Sequence, residues 1–266
     1  MKIIVCVKQV PDTSGKVAVN PDGTLNRASM QTIINPDDKN AIEAALQLKD
    51  ETGCRVTAVT MGPPPAEGML RELIAMGCDD AVLISGREFG GSDTFATSQI
   101  IAAGINAIGL EEDDIVFCGR QAIDGDTAQV GPQVAEKLGL TQITYTEEII
   151  SLDKDAKKIV AKRHIDGGVE TVEGPLPIVV TVNGSAAPCR VRNVKRVWAN
   201  KNREFPVWGA ADIDADPAQI GKAGSPTNVK AVKNIVFKAK ENKTLTSSDE
   251  DINSLIVELM ESNTIG

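Results

Sequence analysis

The chain has 266 residues, 42% of them hydrophobic and 24% charged, enough apolar material to bury a full core as one large domain or a domain with an appendage. A formal net charge of −9 speaks against nucleic acid or an anionic membrane as the main partner, and no apolar run approaches the roughly 20 residues that span a bilayer. Five scattered cysteines and one histidine, His164, fit buried thiols in a reducing cytoplasm better than disulfides, a metal centre or a Ser-His catalytic pair.

Lys2 to Val7 (KIIVCV) reads as a buried first strand without the cleavage site of a signal peptide. A polar stretch follows from Pro11 to Met30, with a hairpin-type turn at Pro21-Asp22-Gly23. Asn35-Pro36-Asp37-Asp38 is a helix start: Asn35 can cap, Pro36 suits the first turn, and the aspartates favour the dipole. That helix carries Ala41, Ile42, Ala45, Leu46 and Leu48 and ends near Gly53. A strand from Arg55 to Thr60, a helix ending at Gly77 and a strand from Ala81 to Ile84 come next. A glycine-rich loop then leads into a helix from about Ser92 to Ile108.

The most informative stretch is Ile115 to Gly139. An apolar strand, IVFC, passes through a polar turn from Gly119 to Gly125 into a helix expected from about Asp126, with Val130, Val134, Ala135 and Leu138 on one face and Gly139 as its stop. A small-residue turn into a helix start leaves backbone N–H groups free and forms a seat for phosphate, beside which Thr127 and Gln129 add donors. Asp124 and Asp126 would repel a bare anion, so they either cap the turn or meet ribose hydroxyls. The spacing matches neither the dinucleotide fingerprint nor the P-loop, and an ordinary turn capped by Asp126 fits the pattern equally well.

Alternating strands and helices up to about Leu140 predict a doubly wound, mostly parallel α/β sheet. Ligands in such sheets sit beyond the carboxyl ends of the strands, so the loops Cys6–Gln9, Met61–Pro63, Ser85–Thr94 and Gly119–Thr127 are expected to converge. From about residue 141 the texture becomes antiparallel, with short strands at Ile143–Ser151, Lys158–His164, Val169–Val172 and Ile178–Val182. Asn183 to Cys189 reads as an exposed loop, and Arg190 to Lys201 as a basic run in an acidic chain, either solvated or in contact with a partner. Gly209 to Val229 has little periodicity and is expected to be a linker or extended arm. Ser247 or Ser248 caps a last helix whose stripe of Ile252, Leu255, Ile256, Leu259 and Met260 needs a surface, another chain being favoured over its own. The expected organisation is a nucleotide-binding domain over residues 1–200 and, over 201–266, an arm ending in a partner-docking helix.

These residues resemble the β subunit of electron transfer flavoproteins over most of the chain. The match rests on AKRHIDGGVETVEGPLPIVVT (residues 161–181), on VKQVPDT with NPDDKNAIEAAL, and on GRQAIDGDTAQVGP. Within the first motif, Arg163, Asp166, Gly167, Gly168, Glu170, Val172 and Pro177 fall in place. The resemblance implies a Rossmann-like sheet domain that holds an adenine nucleotide, and a heterodimer with an α subunit carrying the other part of the flavin apparatus. It places Cys6, Val7, Lys8, Met61 and Ala122 around the adenosine with Asn35 nearby, and Gly125, Asp126, Thr127, Ala128, Gln129 and Val130 at the phosphates, beside which Asp124 joins the expected site.

In simple carriers of this family the nucleotide is structural AMP, and in electron-bifurcating members it is a second FAD that takes a hydride from NADH. The loop GGSDTFATS (residues 90–98) is similar to that of bifurcating members, and on this reading Asp93 and Thr94 lie near the flavin and the NADH. The central GDTAQVGP also follows the bifurcating form rather than the more acidic run of simple carriers. The implied electron partners are ferredoxin or flavodoxin on one side. On the other stands an acyl-CoA or 2-hydroxy-acid dehydrogenase, reached through the α-subunit flavin. No side chain is expected to act as a catalytic acid or base, and no metal is expected.

Overall fold

The computed structural model describes residues 1–12, 31–228 and 242–265, and the turn expected at Pro21–Gly23 lies outside them. The chain divides into two compact units, Met1–Lys230 and Ala231–Gly266.

The first unit is built on a nine-stranded sheet. Strand β1 (Lys2–Cys6) lies at its middle, flanked in parallel by β4 (Arg55–Met61) and β6 (Ile115–Gly119). Beyond β4 come β5 (Asp80–Ile84) and β11 (Val207–Trp208), also parallel. Beyond β6 come β10 (Ile178–Val182) and β7 (Thr141–Asp153), parallel, and then β8 (Lys158–Ile165) and β9 (Gly168–Pro175), antiparallel. A two-stranded antiparallel ribbon of β2 (Gln9–Pro11) and β3 (Thr32–Ile34) stands apart from this sheet. The doubly wound, mostly parallel fold with an antiparallel extension is therefore present. Its extension leaves the sheet at β7 and returns through β10, which inserts between β6 and β7.

Alternation along β1 divides the core between the two faces of the sheet. Ile3 and Val5 pack with Ile42 and Leu46 of α1 (Pro36–Thr52) and Leu70 and Leu73 of α2 (Glu67–Met76). Ile4 packs on the opposite face with Ile100 and Ile105 of α3 (Thr94–Ile108) and Val134 of α4 (Val130–Leu138). Gly53 ends α1 in the left-handed region at φ +70°, its N–H bonded to the Lys49 carbonyl, as its sequence position predicts.

Several local expectations are corrected. Asn35 does not cap α1 with its side chain, which reaches across to the β6 turn instead. The α3 cap is Asp93, accepting from Ala96 N at 3.0 Å, while Ser92 donates to the Phe89 carbonyl. Helix α4 begins at Val130, not near Asp126, because Asp126 and Ala128 sit at φ +50° and +52°, outside helical space. Part of the basic run forms a short helix, α5 (Val194–Ala199).

The stretch from Gly209, expected as a linker, instead packs on the domain through buried Ile213 and Ile220. Its fit is close at Gly221 (φ +61°), where a Cβ would come within 2.0 Å of the Glu88 carbonyl oxygen. The first compact unit accordingly reaches Lys230. In the second unit α6 (Asp249–Glu261) is capped by Ser248, which accepts from Asp251 N at 3.3 Å, and none of its residues is buried.

Candidate functional site

Chain direction across the sheet reverses at β1: the crossover from β1 leads to β4, and that from β5 returns to β6 on the other side. The carboxyl ends of β1 and β6 thus open into the crevice where parallel α/β sheets bind ligands. Asn35 and Asp38 tie this crevice together. The Asn35 amide donates to the Gln121 carbonyl at 2.7 Å and accepts from Ile123 N at 3.1 Å, fixing the turn that holds Ala122. Asp38 accepts from Lys8 N at 2.7 Å with one carboxylate oxygen and from Gly119 N at 3.1 Å with the other. A single carboxyl group at the start of α1 therefore clamps both strand ends.

The sequence singled out Asp38 only for its favourable place on the helix dipole. No local signal marks more, because the first turn of α1 meets Gly119 only through the long-range packing of the fold. A Cβ on that glycine would meet Asp38 Oδ1 at 2.3 Å and Asp38 N at 2.6 Å. Burial pushes the Asp38 carboxyl up to about 7, against the opposing pull of the Lys8, Asn35 and Gly119 hydrogen bonds.

The turn after β6 is open. Lys8 Nζ holds Asp124 through both carboxylate oxygens, at 2.6 and 2.8 Å, and Gln121 Nε2 donates to Asp126 at 2.8 Å. The two acids that would oppose an anion are thereby engaged by a cation and an amide. Gly125 N and Asp126 N close the turn onto the Ala122 carbonyl. The next three backbone N–H groups, of Thr127, Ala128 and Gln129, donate to no protein acceptor among the described residues. They lead directly into Val130 and the positive end of α4.

Thr94 and Gln129 meet, hydroxyl to amide oxygen at 3.0 Å, so the glycine-rich loop leans on this turn. Asp93 faces elsewhere, accepting from Thr227 N at 2.9 Å and Thr227 Oγ1 at 2.7 Å. Burial would raise its carboxyl, but the hydrogen bonds from Ala96 and Thr227 outweigh it and hold the group below the usual range. The structure also adds Ser225, which accepts from Asp93 N at 2.9 Å. No sequence signal marked Ser225 or Thr227 because their stretch reads as a linker. On the wall below, Cys6 and Met61 are half-buried against the α3/α4 core, and Val7 N donates to the Val59 carbonyl. The acidic trio Glu111, Asp113 and Asp114 lies at the opposite edge of the sheet, where Lys2 and the amino terminus engage it.

A second surface is notable. Val191, Val194 and Trp198 are 88%, 81% and 73% exposed, beside Arg192 and Lys195. Two other basic residues of that run are structural: Arg190 engages Glu43 and Asp50, and Arg196 donates to the Ile74 and Cys78 carbonyls.

Comparison with known proteins agrees with this architecture. Residues 22–212 match the electron transfer flavoprotein domain family. The chain is 58% identical over 234 residues to acryloyl-CoA reductase electron transfer subunit gamma of Anaerotignum propionicum, covering 86% of each chain. It is 50% identical to electron transfer flavoprotein subunit beta of Clostridium acetobutylicum, again over 86% of each. A third relative, at 45% identity and the same coverage, is the caffeyl-CoA reductase-Etf complex subunit CarD of Acetobacterium woodii. With the family's domain matched over most of the chain and relatives this similar, the protein belongs to the electron transfer flavoprotein family as a β-type subunit.

Proposed function

We propose that this chain pairs with an electron transfer flavoprotein α subunit and holds FAD at the β1/β6 edge, where the flavin receives hydride from NADH. The observation that carries the nucleotide reading is the run of N–H groups from Thr127 to Gln129 that donate to no acceptor among the described residues, at a turn shaped by left-handed Asp126 and Ala128 just before α4. Such a run suits a pyrophosphate, and the neutralisation of Asp124 by Lys8 removes the main electrostatic objection. Gly125 to Val130 would grip the phosphates, while Cys6, Val7, Met61 and Ala122 would flank the adenosine. Asn35 and Asp38 keep those walls in register. Thr94, braced on Gln129, would help to hold the flavin, and Asp93 would act at one remove by fastening residues 225–227 beside that loop. Bound FAD would supply hydride acceptance and pass single electrons to ferredoxin or flavodoxin and, through the α-subunit flavin, to a partner dehydrogenase.

The names of the relatives favour an acyl-CoA dehydrogenase over a 2-hydroxy-acid dehydrogenase as that partner. The exposed Val191–Trp198 patch is the docking surface we assign to it, and the bare apolar stripe of α6 the surface we assign to the α subunit. The test is a count of nucleotides released by denaturing the co-expressed heterodimer and separated by chromatography. Two FAD and no AMP per heterodimer, with bleaching by NADH under anaerobic conditions, is the expected result. One FAD with one AMP overturns the hydride-accepting role and leaves a carrier with a structural nucleotide.

A further inference from the structure

Cys6 and Cys118 face each other in the β1–β6 ladder, at the last registered rung before the strands open into the site. In-register residues of parallel neighbours point to the same face, and both side chains pack on the α3/α4 side of the sheet. Adjacent strands run about 4.8 Å apart, within the roughly 4.4–6.8 Å between Cα atoms that a disulfide spans. Both are free thiols, Cys118 buried and Cys6 half-buried. The hydrogen bond to Cys6 and burial together push the Cys118 thiol up, so Cys6, nearer the crevice, is the one placed to react first. Cys189, by contrast, lies against Met76 Sδ at 3.8 Å.

We propose that Cys6 and Cys118 form an oxidisable dithiol that closes to a disulfide on challenge by a low-molecular-weight disulfide, and that closure releases the nucleotide. The Cys6 thiolate attacks one sulfur of the small disulfide, and the other sulfur leaves as a thiolate. Cys118 then yields its proton to the departing thiolate and displaces the second small thiol from Cys6. Two protein thiols are oxidised, and the small disulfide takes up two electrons and two protons to become two thiols. Drawing the sulfurs together withdraws Cys6 from the crevice wall. It also moves Lys8 and Gly119, whose N–H groups share the Asp38 carboxylate. The bond-forming half depends only on the strand register, whereas the release half rests on the nucleotide reading above.

The experiment uses the heterodimer as purified, held anaerobically and treated with oxidised glutathione, with tryptic mapping and nucleotide analysis on the same samples. The expected result is a dithiothreitol-sensitive cross-link between peptides 3–8 and 88–120, with bound nucleotide lost in proportion. Cys118→Ala, checked first for bound nucleotide, is expected to arrest as a glutathione adduct on Cys6. Absence of the cross-link overturns the dithiol, and a cross-linked protein that keeps its nucleotide overturns the release. Protein carrying no nucleotide before treatment overturns the proposed function instead, and the cross-link still decides the dithiol.

Discussion

Asp38 shows how one side chain can set both the geometry and the pH response of the crevice. Its carboxyl is protonated to about pH 7 in the folded chain and titrates near 3.8 when unfolded. Between those values the folded state binds more protons than the unfolded state, so this group's contribution to stability falls as pH rises and levels off above about 7. Each pH unit between the two values is worth about 1.36 kcal/mol, which makes the loss across that window about 4 kcal/mol. Asp38→Asn is expected to flatten this slope in urea unfolding measured from pH 4 to 8. An unchanged slope would mean that another group carries the titration. Asp38→Ala, which leaves Lys8 N and Gly119 N without their acceptor, is expected to cost about 2–4 kcal/mol. The sequence showed an acid suited to a helix start but not its distant partners, since a clamp between residues 8, 38 and 119 is a property of topology.

Among the elements, the alternation of strands and helices up to Leu140 was legible because each repeats its own hydrophobic period and stops at a glycine such as Gly53, Gly77 or Gly139. The start of α4 was not. Left-handed residues other than glycine carry no compositional mark, and Asp126 reads as an ordinary cap until its φ is known. The stretch from Gly209 failed as a reading for another reason: two buried isoleucines, Ile213 and Ile220, anchor it without producing any period.

The approach of α1 to β6 gives a paired prediction. Gly119→Ala puts a methyl group into the backbone of Asp38 and is expected to cost about 3 kcal/mol, lowering Tm by roughly 6–12 °C. Gly125→Ala, whose added Cβ would have nothing within 4 Å, is expected to leave Tm within about 2 °C. Thermal unfolding of the two variants side by side checks this, and equal losses would mean that the turn, not the helix approach, is the constraint.

At the scale of the molecule, the position of β10 between β6 and β7 depends on pairing across distant segments, which local patterns do not encode. Net charge misleads in a similar way. An acidic total of −9 hides a basic and apolar surface at residues 190–201, and even that run divides into structural and exposed members. Arg190 and Arg196 anchor it, and Asn193 N adds a hydrogen bond to the Ala75 carbonyl at 2.9 Å. Val191, Val194 and Trp198 are thus held outward on a braced segment, so a partner that buries them meets a surface whose ordering cost has largely been met in advance. A buried tryptophan at the centre of an interface typically contributes about 2 kcal/mol or more. Trp198→Ala is therefore expected to slow electron transfer to the partner dehydrogenase by about 30-fold or more. Nucleotide content and NADH oxidation with an artificial acceptor should stay unchanged, because the segment is braced by Glu43, Asp50, Ile74, Ala75 and Cys78, none of which belongs to the crevice. Stopped-flow rates at several dehydrogenase concentrations separate docking from the transfer itself. A loss confined to the concentration-dependent phase supports the docking surface, and undiminished rates would return residues 191–198 to the solvated role that their charge first suggests.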